Sequence, residues 1–167
     1  MIERLSPDTS TFLDPNCVEP DTWCAYRLYA AGCDATVEAR AFTLPRLPDA
    51  AATAAGPGAR IEVRWLDVNV FETAYQVRRQ GPQGGAFEMI AQLDPNSVSY
   101  SDLSVSLDAL YAYEVVAVNP SGETATQALP QWTLPPTPVG LAQAGSVRAY
   151  DVTLAWSNPN MTVTGYT

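Results

Sequence analysis

The feature that most constrains this 167-residue chain is that it repeats itself. Met1, Ile2, Leu5, Pro7 and Asp14 return 88 positions later as Met89, Ile90, Leu93, Pro95 and Asp102, with Tyr100 in the place of Phe12. Residues 18–31 match residues 105–118 at an offset of 87, and Thr43-Leu44-Pro45 returns as Thr133-Leu134-Pro135 at 90. Trp65 returns as Trp156 at 91, with Ile61 and Val63 answered by Val152 and Leu154. The offset changes only between blocks, where loops accept insertions because closure entropy grows slowly with length. A period near ninety implies tandem units, not one continuous fold. Residues 1–45 read as the second half of one unit, 46–135 as a complete unit, and 136–167 as the opening of a third. On this reading the chain is expected to be a piece of a longer array.

Within 46–135 the pattern is that of strands. Ile61, Val63 and Trp65 alternate with Glu62 and Arg64; Tyr75 and Val77 alternate with Gln76 and Arg78. Residues 87–93 follow the turn Gly81-Pro82-Gln83-Gly84-Gly85, and Val98 and Tyr100 alternate with Ser97 and Ser99. Tyr111, Tyr113, Val115 and Ala117 alternate with Ala112, Glu114, Val116 and Val118 before the turn Asn119-Pro120-Ser121-Gly122. Period two with turn signals between runs predicts strands. A last strand is expected over 124–129, and one more before Gly56, for about seven in all. That count and spacing point to an all-β sandwich. Between units lie Leu44-Pro45-Arg46-Leu47-Pro48 and Leu134-Pro135-Pro136-Thr137-Pro138. Proline fixes its own φ and restricts its predecessor, so these joints are short and semi-rigid.

In their order, these residues resemble the fibronectin type III module, in the form common in bacterial extracellular multidomain proteins. The resemblance rests on Trp65 closing the second strand, Tyr75-x-Val77-x-Arg79 in the third, Tyr100-Ser101-Asp102 before the crossing, and the run from Tyr111 through Tyr113, Val115 and Asn119 to Gly122. It implies an immunoglobulin-like Greek-key sandwich of two antiparallel sheets that is non-catalytic and serves as a spacer or a binding surface. Trp65, Tyr75, Tyr113 and Val115 are then core residues, Trp156 repeats Trp65, and Tyr111 is the tyrosine corner, its hydroxyl reaching backbone near residues 105–108.

The first unit departs from this pattern. Cys24 stands where Tyr111 stands, and Cys17 lies just before Val18, the partner of Val105. A Cys17–Cys24 disulfide could join covalently what the corner joins by a hydrogen bond, and would favour an oxidising compartment. Two buried free thiols are the alternative. Cys33 is left over, free or paired elsewhere.

Composition excludes several roles. Nine basic against 18 acidic residues give a net charge of −9, which disfavours nucleic acid and anionic membrane surfaces. No apolar run reaches the ~18 residues of a membrane span. There is no histidine, so histidine triads and histidine metal sites are absent. The cysteine spacing fits no zinc or redox motif, and the glycine-rich stretches are turns. No cofactor, metal or catalytic residue set is expected. Asp94 and Asp102 converge on no evident pocket, and Asp102 reads as a turn or strand-end residue. Asn160-Met161-Thr162 is a formal glycosylation sequon.

Binding, if any, belongs to loops at the sandwich ends, with Val68, Val70, Phe71 and Asn119 as candidates; Phe71 is the more natural plug for the end of the sandwich. Arg64, Gln76, Arg78 and Glu114 should form a solvated stripe. The functional expectation is a spacer array of an extracellular or cell-surface protein, with protein, carbohydrate or adhesive partners and neighbouring modules of the same chain. The alternative is an accessory array of a secreted enzyme or a phage tail protein.

Overall fold

The computed structural model describes residues 3–32, 35–145, 151–157 and 164–165. Cys33 and the sequon at 160–162 lie outside the described residues. The described residues form strands and no helix: β1 (Trp23–Tyr29), β2 (Thr36–Phe42), β3 (Asp49–Gly56), β4 (Arg60–Leu66), β5 (Ala74–Gly81), β6 (Gly84–Leu93), β7 (Ser99–Asp102), β8 (Leu110–Asn119), β9 (Gly122–Ala125), β10 (Leu129–Trp132), β11 (Val139–Gln143) and β12 (Leu154–Ser157).

Strands β3 to β10 make an immunoglobulin-like Greek-key sandwich. One sheet has the order β3-β4-β7, and the other the order β10-β8-β5-β6 with β9 also on β8; every pairing is antiparallel. The chain changes sheet between β4 and β5, between β6 and β7, and between β7 and β8. Period-two alternation explains the core directly. Ile61, Val63 and Trp65 from β4 meet Tyr75 and Val77 from β5 and Tyr111, Tyr113, Val115 and Ala117 from β8, all buried. The Trp65 and Tyr75 rings lie 5.5 Å apart. Burial of each such aromatic contributes several kcal/mol before entropy, at ~25 cal/mol per Å² over ~150–250 Å².

Trp156 is different: it is 43% exposed. Its strand β12 pairs with β11, and the two form a hairpin of their own, with no third described strand in their sheet. The same holds for β1 and β2. Repeat-equivalent residues therefore sit in a closed sandwich in the middle of the chain and on open hairpins at either side.

Two local expectations are corrected. The strand expected over 124–129 is two strands, β9 and β10, whose register against β8 shifts by one residue between Val116↔Ala125 and Tyr113↔Leu129. The cause is Thr126: its N–H donates to the Val115 carbonyl, and its hydroxyl accepts the Val115 N–H at 3.1 Å. That exchange sets a bulge. The solvated stripe lacks Arg64, which lies on the three-stranded sheet opposite Ser99. On the five-stranded sheet, Arg78 stands opposite Glu114 and pairs with Glu123 at 2.6 Å and with Gln76 at 2.9 Å.

Asp102 ends β7, in keeping with a strand-end residue, but it does not face solvent. It is fully buried. Its carboxylate accepts from Arg79 (2.8 Å) on β5, from the Tyr113 hydroxyl (2.8 Å) on β8, and from the Ser104 hydroxyl (2.7 Å) and N–H (2.9 Å). Burial alone would raise its pKa, but the donated bonds outweigh burial and hold the carboxyl below its ordinary value. The Tyr113 hydroxyl is pushed up by burial and by this carboxylate. One charge thus ties both sheets together. The guanidinium of Arg79 also lies 5.3 Å above the ring of Tyr111.

Candidate functional site: the joint before the complete unit

The candidate loops at the end of the sandwich, 67–72 and 119–123, do not stand empty. They close on the linker 43–48 and on the end of β2. Pro45 and Pro48 are buried there.

The loop between β4 and β5 is shaped from within. The Asp67 carboxylate accepts from the Asn69 N–H (3.1 Å) and from the Tyr75 hydroxyl (2.6 Å), and the Asn69 amide donates to the Tyr75 oxygen (3.1 Å). Burial, and then Asp67, push the Tyr75 hydroxyl pKa up, so it stays a donor. Asn69, itself buried, then holds the linker: it accepts the Arg46 N–H at 2.7 Å and donates to the Arg46 carbonyl at 3.3 Å.

A second contact comes from the first unit. Asp21, buried and at φ 53, accepts the N–H groups of Val70 and of Phe71 (3.2 Å) on its carboxylate. A short acidic side chain tolerates this left-handed conformation better than most. Its own N–H donates to the Leu44 carbonyl at 2.7 Å. Thr43 completes the corner by donating to the Glu19 carbonyl (2.7 Å) and accepting the Thr22 N–H (3.0 Å).

The third contact is the turn after β8 together with β9. The Asn119 amide donates to the Thr43 carbonyl (2.8 Å), the Ser121 hydroxyl to the Phe42 carbonyl, and the Thr124 hydroxyl to the Pro45 carbonyl (2.9 Å). Gly122, at φ 143, lies so close to the linker that a Cβ there would stand 2.9 Å from Leu44 Cδ2. Between these polar contacts the Phe42 and Phe71 rings meet edge to face at 5.8 Å.

The sequence candidates thus divide. Phe71 is half-buried against Phe42, Asn119 is buried with its amide on the linker, and Val68 is half-buried. Val70 gives its N–H to Asp21, and its side chain remains 76% exposed. Cys17 and Cys24 form a disulfide, with Cα atoms 6.3 Å apart. At the equivalent corner of the complete unit, the Tyr111 hydroxyl accepts the Ser106 N–H at 2.9 Å. Sequence reading missed Asp21, Asn69, Ser121 and Thr124. One signal for Asp21 was present: it matches Asp108 at the offset of 87. Among the described residues, no group of three or more His, Cys, Asp or Glu side chains could hold a metal ion.

The sequence matches no protein-family model and no curated protein. Solved structures do match. The crystal structure of the chicken CNTN1 FN1-FN3 domains superposes with a TM-score of 0.51 at 17% identity, over 60% of this chain and 36% of that one. The chain thus spans well under half of that structure's length. The fn3 domain of human collagen alpha-1(XX) covers 54% of this chain and 86% of its own at 16% identity and a TM-score of 0.47. An Fn3-like protein from Clostridium thermocellum covers 54% and 92% at 24% identity and a TM-score of 0.44. With the strand order described above, the complete unit has the fibronectin type III fold.

Proposed function

We propose that this chain is a non-catalytic spacer made of tandem fibronectin type III units, and that its working part is the joint. The observation that supports this most is the grip on residues 42–48. Both end loops of the complete unit direct polar groups or rings at residues 42–46, and Asp21 of the preceding unit bonds Leu44 of the linker through its N–H and the first end loop through its carboxylate. A flexible tether would need none of these bonds. Ends engaged in this way transmit orientation from one unit to the next, which is the property a spacer requires. The Cys17–Cys24 disulfide favours an oxidising compartment, hence an exported or cell-surface protein. Neighbouring modules of the same chain are the partners this geometry supports best.

Residual dipolar couplings of the full chain test the reading. A single alignment tensor should fit the amides of β1–β2 and those of β3–β10 together. Two independent tensors would mean that the joint is a hinge and that the spacer reading fails.

A further inference from the structure

The aspartate that clasps the complete unit lies inside the loop closed by the disulfide. Asp21 stands between Cys17 and Cys24, bonded at a separation of seven residues. It is buried, it holds a left-handed φ of 53, and its carboxylate receives two backbone N–H groups from across the joint. Such a residue keeps its geometry only if its loop is held.

The repeat shows how the same loop is held elsewhere. Asp108 is equivalent to Asp21, has a φ of 54, and donates its N–H to Leu134 at 3.1 Å as Asp21 does to Leu44. That loop is tied by the bond between Ser106 and Tyr111, with both Tyr111 and Val105 buried in the sandwich core. At the equivalent corner of the first unit Cys24 stands in the place of Tyr111, and the tie is the Cys17–Cys24 bond. A covalent closure restricts the loop. The neutral hydrogen bonds of Asp21, Thr22 and Thr43 remain, but such bonds are individually weak. Both cysteines are half-buried, and Val18, Glu19 and Pro20 beside them are exposed, so a small thiol can reach the bond.

We propose that the Cys17–Cys24 disulfide is a redox site controlling the joint. Oxidised, it presents Asp21 to Val70 and Phe71; reduced, it lets the loop relax and the clasp open. The step is ordinary thiol–disulfide exchange. A dithiol reductant supplies two electrons and two protons, the Cys17–Cys24 bond breaks, both sulfurs leave as thiols, and the reductant closes as its own disulfide. The inference rests on the clasped joint described above.

Amide hydrogen exchange by NMR on the full chain, with and without excess dithiothreitol, tests it. Exchange at Val70 and Phe71 should accelerate by roughly tenfold or more on reduction, the loss of bonds to a charged acceptor. Thr73, whose N–H donates to the Val118 carbonyl in the same loop, and Val115 in the core should not change. The double variant Cys17→Ser/Cys24→Ser should reproduce the reduced rates without reductant, and a Cys33→Ser background should leave the comparison unaltered. Unchanged rates at Val70 and Phe71 on reduction overturn the proposal, as does equal acceleration at Thr73. Asp21→Asn separates the two levels of the account. If it accelerates exchange while reduction does not, the clasp stands and redox control falls; if neither accelerates exchange, both fall.

Discussion

The same residues do different work in the complete unit and in the hairpins beside it. Tyr113 bonds a buried Asp102 that is neutralised by Arg79; its repeat partner Tyr26 bonds Asp14 at 3.2 Å on a hairpin whose faces are open. Tyr111 closes its corner through one hydrogen bond backed by the core; at the same place Cys24 closes it with a disulfide. Trp65 is buried and Trp156 is not. In the closed sandwich, non-directional burial carries the fold and single polar bonds refine it.

The two linkers differ in a parallel way. Pro45 and Pro48 are buried, while Pro135 and Pro138 are exposed. The capping half is nevertheless built at both: the Thr133 hydroxyl donates to Ser106 (2.8 Å) and accepts from Ala109 (2.9 Å), much as Thr43 does with Glu19 and Thr22. One group of the gripped linker has no copy in the other, and one aromatic differs in exposure. Arg46 gives Asn69 an N–H, and Pro136, its repeat partner, has none to give. Phe42 is half-covered by Phe71, while Trp132 in the same place is 49% exposed.

Substitutions at paired positions can break this contrast. The largest effect is expected at the tryptophans. Trp65→Ala should cost the complete unit about 3–5 kcal/mol in urea unfolding, and Trp156→Ala no more than about 0.5. Equal costs would mean that the third segment belongs to the same core. Next comes the buried charge. Arg79→Ala leaves Asp102 without its cation and should cost about 2–3 kcal/mol, whereas Asp14→Ala should leave the urea midpoint of the complete unit in place.

Asp102 also sets a pH dependence. Its folded pKa lies below its unfolded value, so its contribution is complete above pH ~4 and disappears as pH falls through the folded value. Acid titration of stability should therefore be flatter for Asp102→Asn than for the parent chain. The smallest difference is at the phenols. Tyr111→Phe should cost roughly 1 kcal/mol, and Tyr26→Phe should not shift the unfolding of the complete unit measurably.

Much of the architecture was legible because it depends on periodicity. Alternation of two identified the inward faces of β4, β5 and β8, and the offset of 87 identified the corner where Cys24 takes the place of Tyr111. What was not legible depends on partners distant in sequence. Asp102 is a strand-end aspartate, but nothing near it in sequence shows that Arg79 and Tyr113 reach it from the other sheet. Thr126 looks like a strand residue until its hydroxyl takes the Val115 N–H and shifts the register. The loops 67–72 and 119–123 look free because the residues that engage them, Asp21 and Phe42, lie in another unit and carry no periodic signal. Comparison of Asp21 with Asp108 was the one internal pointer to that contact.

The central claim is that the ends of neighbouring units are energetically coupled through the joint. A double-mutant cycle of Phe42→Ala and Phe71→Ala, read from urea unfolding of the complete unit, tests it most directly. The ring contact predicts a coupling energy of about 0.5–1.5 kcal/mol. Strict additivity of the two substitutions would contradict the account.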